Sequence, residues 1–322
     1  MKNRRQLLVV FWAALMTTSG AVAEYPERPV HIVIQGSAAG TNYDVAATLA
    51  RKLTQIWGQQ VEVEAKGGGG SIALGTIAGV AKSAPDGYRL LLSSSTFTAV
   101  PSVLANLPYD PVKDFIPVAS LVAQPNVLVV GRPTGIRSVA ELIENAKNNP
   151  GALTMGSAGL GQGHYLMGES FKLATGIVAA HVPLGVKELI QAVISGRVTF
   201  WFAPFSAAQQ PLKDGTFVPL GVSTARRFAL LPDVPTLAES GVGGFDQKAW
   251  YGIWAPAGTP KQVVEKLSAD FSRALAAEDL RDAFAKKGYE PLITTQPEFA
   301  KFVLSEIEFA IRTIKASGKA PK

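Results

Sequence analysis

Cysteine is absent from all 322 residues of the chain. That excludes disulfide staples, thiol nucleophiles, cysteine metal sites and the lipid-bearing thiol that tethers a lipoprotein. Histidine is scarce: His31, His164 and His181 are the only three, and no HExxH, Walker or G-x-S-x-G pattern occurs. The common metallohydrolase, nucleotide and serine-hydrolase sites therefore have no footing here. No cofactor or metal is implied, and the chain reads as a binding protein, not an enzyme. Internal repeats, low-complexity tracts and runs of like charge are missing too.

What is present suits a folded protein of one large or two medium domains, with 47% apolar residues. At the N-terminus, Lys2, Arg4 and Arg5 precede an apolar run over residues 7–16, and small residues close on Ala21-Val22-Ala23. This is the pattern of an export leader cleaved after Ala23, and the run is far shorter than the roughly 20 residues a spanning helix needs. The expectation is a periplasmic protein beginning at Glu24. The formal charge of +6 falls to +3 once three basic residues leave with the leader, and no basic stripe points to nucleic acid.

Strand-like and helix-like segments alternate from residue 30 onward, which predicts an α/β architecture with largely parallel sheets. Residues 30–34 form a buried-strand run, and Val45, Leu49, Leu53 and Ile56 recur at helical spacing, with Asp44 near the helix start. Val61 and Val63 alternate with glutamates as a strand, Ser71 stands ready to cap a helix reaching residue 84, and residues 88–92 make a third strand. Capping-box patterns at Ser138/Glu141, Thr259/Gln262 and Thr295/Glu298 predict three further helix starts. Residues 126–223 form a self-contained series flanked by Pro125 and the proline-rich 231–235. Two lobes are expected, residues 24–124 with 229–322 and the inserted 125–228, joined by crossovers.

Glycine and hydroxyl residues gather at the strand-to-helix turns, where parallel α/β sheets bind ligands. The first turn holds Gly36, Ser37, Gly40, Thr41 and Asn42, with Asp44 after it; the second holds Gly69, Gly70 and Ser71. Ser94, Ser95 and Thr96 follow the third strand, and Ser157, Ala158, Gly159, Gly161, Gln162 and His164 follow a later one. Such turns expose backbone N–H groups at a positive helix end, which is anion-binding chemistry. Their glycines also serve plain turn geometry. The Gly159-x-Gly161-x-Gly163 spacing lacks the downstream acid of a dinucleotide site. His31 and His181 read as packed strand residues.

Stretches spread from end to end carry a resemblance. They are YPERPV (25–30), APDGY (84–88), LPYDPVKDF (107–115), PNVLVV (125–130), GSAGLGQGH (156–164), HVP (181–183), LPDVPTLAESG (231–241) and WAPAGTP (254–260). Over essentially the whole mature length the chain resembles the Bug receptors, solute-binding components of tripartite tricarboxylate transporters. The resemblance implies a two-lobed, periplasmic-binding-protein-like α/β fold hinged by crossing strands. It also implies a small carboxylate held between the lobes and inner-membrane transporter subunits as partners. The turns at residues 36–44, 69–71 and 157–164 correspond to the family's ligand loops.

Three departures stand out. The first loop is longer and lacks the usual paired glycines, Leu184-Gly185 replaces a Tyr-Lys-Gly, and Ala203 stands where an acid is common. With Trp201 and Phe205 nearby, they suggest a ligand with an apolar or aromatic body; the alternative, equally consistent with strand alternation, is that these side chains face the core. A ligand sensor without a transport role, or a hydrolase or isomerase on a two-lobed frame, are the competing readings.

Overall fold

In the computed structural model, residues 25–38, 40–67 and 71–321 are described; the expected leader and Glu24, Ala39, Gly68, the second-turn candidates Gly69 and Gly70, and Lys322 lie outside them. In chain order the elements are β1 (Val30–Gln35), α1 (Thr41–Trp57), β2 (Val61–Lys66), α2 (Ser71–Ala81), β3 (Arg89–Ser94), α3 (Thr96–Ala99) and β4 (Phe115–Gly131). Then come α4 (Val139–Asn148), β5 (Thr154–Ser157), α5 (Gly163–Thr175), β6 (Ala180–Pro183), α6 (Val186–Ile194), β7 (Phe200–Pro204), α7 (Phe205–Lys213) and β8 (Phe217–Val222). The chain closes with β9 (Lys248–Pro256), α8 (Lys261–Ala276), α9 (Glu278–Ala285), β10 (Glu290–Pro291) and α10 (Gln296–Ala316).

The apolar run of β1 reflects burial on both faces. Val30, Ile32 and Ile34 pack with Val45, Leu49 and Leu53 of α1, while Val33 turns to Ile77 and Ala78 of α2. Parallel pairing with β2 and β3 fixes all three C-terminal strand ends at one edge, the arrangement expected of strand–helix–strand units. Helix α1 stops at Gly58, whose φ of 63° is the left-handed conformation that favours glycine.

Strand β4 joins the lobes. Its residues from Phe115 to Pro125 run antiparallel to β9, and those from Asn126 to Gly131 run antiparallel to β7 and β8. Parallel β5, β6 and β7 complete the second lobe. The strand order is β2-β1-β3-β9-β4-β7-β5-β6, with β8 and β10 also on β4. The molecule is thus two mixed α/β lobes hung on shared central strands.

Two further segments tie the lobes together. Ala99 and Val103 sit in the apolar cluster of Tyr165, Leu166 and Phe171. Helix α10 packs Phe299 and Val303 against Trp250 and Trp254 of the first lobe, then Ala310 and Ile314 into the second-lobe cluster. Its start is a full capping box on Thr295 and Glu298. Ser138 likewise caps α4. The third expected cap differs: α8 starts at Lys261 with Pro260 as N-cap, and the Thr259 hydroxyl donates to the Pro256 carbonyl at 2.7 Å. Proline at that position presets the backbone, so no hydroxyl cap is required.

Candidate ligand site between the lobes

In the first lobe, Gly36 turns the chain out of β1 with a φ of +103°, a conformation strained for any residue with a Cβ. Gly40 is the N-cap of α1, with no side chain capping the helix. The first-turn N–H groups at Thr41 and Asn42 therefore have no helix carbonyl to bond. Asn42 donates its side-chain amide to the Gln35 carbonyl at 3.3 Å, and Gln35 bonds Ser93 Oγ at 2.5 Å, bracing this helix start against β3. Asp44 does not turn to the cleft as a free carboxylate, because Lys287 pairs with it.

In the second lobe, α5 begins at Gly163 with Gln162 as an N-cap that makes no side-chain bond to the helix. The positive end of this helix and the N–H groups of Gly163 and His164 are available to an anion. The preceding loop is held internally. Ala158 N–H donates to His164 Nε2 at 2.7 Å, Gly159 N–H to Ser157 Oγ at 3.1 Å, and Ser157 Oγ lies 2.6 Å from His181 Nε2. Ser157 is fully buried, so its hydroxyl shapes the loop. Burial, then His181, pushes the His164 imidazole from its usual 6.5 down to about 4. Burial followed by Lys319 does the same to His181. Both rings are neutral at pH 7, and His164 acts as an acceptor that locks the loop.

The α5 start meets the first lobe at the end of β3. Thr96 Oγ1 donates to Gln162 Oε1 at 3.2 Å, linking the end of β3 to the N-cap of α5. A Cβ on Gly163 would strike Ser95 Oγ, and one on Gly161 would stand 3.0–3.2 Å from Val103 and Val100; Gly161 also has a φ of +76°. Ser94 Oγ accepts from Thr96 N–H at 3.4 Å. Ser95 and Thr96 thus adjoin Gly161, Gln162 and Gly163 across the lobes, while Gly36, Ser37, Gly40, Thr41 and Asn42 stand at the end of β1, beside β3 in the first lobe. Ser71 opens α2 at the same edge of the first lobe.

Ala203 and Leu184 are placed otherwise. Ala203, Trp201 and Phe205 are buried in one apolar cluster of the second lobe, and Leu184 packs against it. Ala203 has no exposed surface, while the Trp201 ring meets the His164 ring edge-on at 6.0 Å and Leu184 N–H donates to the Ser157 carbonyl at 3.0 Å.

Residues outside the sequence-derived set also matter. Gln124, on the crossing strand, accepts from Ser206 N–H at 2.9 Å and donates to Tyr251 OH at 3.0 Å. Tyr251 interacts in turn with the Thr41 side chain, and burial raises its phenol pKa so that it stays protonated. A buried polar chain thus connects the α1 start to the α7 start. A separate cavity of about 500 Å³ lies between α4 and the segment around Asp233 and Pro235. The helix start there is already capped by Ser138, and Arg137 N–H is taken by Glu141.

The fold is that of a two-lobed solute-binding protein. Residues 45–319 match the profile described as "Tripartite tricarboxylate transporter family receptor", and the chain belongs to that family. It is 30% identical to protein BugT of Bordetella pertussis over 98% of each chain. Among solved structures it resembles R. palustris Rpa4515 with adipate, at TM-score 0.86 and 30% identity, over 93% of this chain and 100% of that one. It also resembles MatC of Rhodopseudomonas palustris with bound malate, at TM-score 0.78 and 29% identity, over 90% and 100%. The two solved structures hold adipate and malate, and no described helix of this chain is long and apolar enough to cross a membrane.

Proposed function

We propose that this protein captures a small organic carboxylate in the cleft and presents it to membrane subunits of a tripartite transporter. The observation that carries the reading is that α1 and α5 each start on a glycine-bearing turn after a parallel strand without a side-chain cap, and that the α5 start is joined to the first lobe by Thr96 and Gln162. Charge-assisted bonds from backbone N–H groups to a carboxylate are short and strong, and helix ends favour negative charge. The relatives solved with adipate and malate support the ligand class.

In this reading residues 1–23 are a leader removed on export to the periplasm, residues 24–124 with 229–322 form one lobe, and 125–228 the other. The protein has no catalytic role. Leu160, 44% exposed in the α5 loop, and Ile72, 57% exposed in the first turn of α2, leave apolar surface at the cleft edge that suits an aliphatic ligand body. Isothermal titration with adipate and malate, followed by mass spectrometry of the recovered ligand, tests the proposal. Stoichiometric binding of at least one, returned unchanged, is expected. Absence of binding by both, or turnover of either at catalytic protein concentration, would overturn it.

A further inference from the structure

Glu169, on α5, has no exposed surface and sits behind the loop at residues 157–164. Its Oε1 accepts from two lysines, Lys172 at 2.9 Å and Lys319 at 2.6 Å, while its Oε2 is buried without a hydrogen-bond partner. Lys319 comes from the segment after α10. It also donates to Tyr165 OH at 2.9 Å, with its ammonium 5.1 Å from the centre of that ring. The Tyr165 ring lies 4.6 Å from the His181 ring. His181 Nε2 is 2.6 Å from Ser157 Oγ, which bonds both the N–H and the carbonyl of Gly159. Contacts therefore run unbroken from the C-terminal segment to the loop that opens α5.

Two features separate this arrangement from a simple peg. Replacing a buried ion pair by apolar residues is often neutral or stabilising, so net stability alone explains little of a cluster with two ammonium groups on one carboxylate oxygen. Its net charge is positive, on the side of the loop where an anion is to be held. The lysine is also delivered by a helix that packs on both lobes, through Phe299 and Val303 on the first and Ala310 and Ile314 on the second.

We propose that Lys319 is a positioning residue for ligand capture: anchored on Glu169 and Tyr165, it fixes the His181–Ser157 pair, sets the shape of the loop and adds positive charge behind it. This rests on the loop being the carboxylate site. The groups facing His181 are Ser157, Tyr165, Glu169, Lys172, Lys319 and His164, and among them Lys319 and Lys172 disfavour its protonation while Glu169 favours it.

The test uses the mature chain with Lys319→Met, Lys319→Arg and a truncation after Gly318. Titration with adipate and malate, NMR titration of His181 and thermal melting are compared. Lys319→Met and the truncation are expected to weaken binding of whichever acid the parent binds by roughly tenfold. They should also raise the His181 pKa and shift the Gly159 amide resonance; Lys319→Arg should restore all three. Lower melting with parental affinity, parental His181 titration and an unmoved Gly159 would overturn the proposal and leave a structural peg. If the parent protein binds neither acid, the ligand reading fails. The His181 and Gly159 shifts still decide the positioning role, since their absence refutes it and their presence with rescue by arginine supports it.

Discussion

His164 joins the loop to its own helix by accepting the Ala158 N–H, a role open only to a neutral ring. Its folded pKa, near 4 against an ordinary 6.5, means that between those pH values the unfolded chain binds more protons. The stability it confers is complete above pH 6.5 and is lost as pH falls towards 4. By pH 5 this amounts to about 2 kcal/mol, to which His181 adds in the same direction. Urea denaturation from pH 7.5 to 5 should show this fall, and His164→Gln, which keeps an acceptor without the titration, should flatten part of it. A parent protein equally stable at both ends would contradict the neutral-ring account. Ala203 carries a different lesson. Strand β7 is buried from Phe200 to Ala203 on both faces, so no polar alternation marks which side chains face the cleft, and the phase of the strand is invisible in the sequence.

Among the elements, β4 does the joining, and it is the one hardest to read in advance. Pro117 and Pro125 interrupt its sequence as turn residues would, yet the strand runs through both, with irregular register after Pro117. Its change of partner between Pro125 and Asn126 comes from non-local pairing to β9, β7 and β8. The helices of the first lobe and the caps at Ser138 and Thr295 were legible because their signals are local. The glycine turns were legible because parallel strands must end at one edge. Their supports were not: Gln124 meets Tyr251 across 127 residues of chain, and Lys319 meets Glu169 across 150. Gln124→Leu leaves the Ser206 N–H without its buried acceptor, at a cost of about 1–3 kcal/mol, while the Tyr251 hydroxyl keeps Thr41 and Tyr289. Chemical denaturation should show a loss of that order, and parental stability would mean that water replaces the amide at the hinge.

At the scale of the whole molecule, two lobes share central strands, and α10 and the segment around Ala99 cross between them. Under the proposed function, ligand contacts from both lobes favour a closed form by as much as the ligand's affinity differs between open and closed forms. The central claim is that one carboxylate engages both helix starts together. Hydrogen–deuterium exchange with and without saturating adipate or malate tests it most directly. Joint slowing of exchange in residues 36–44 and 157–165 is the predicted result. Saturable binding that leaves both segments unchanged and protects residues 137–140 and 231–240 around the other cavity would contradict it.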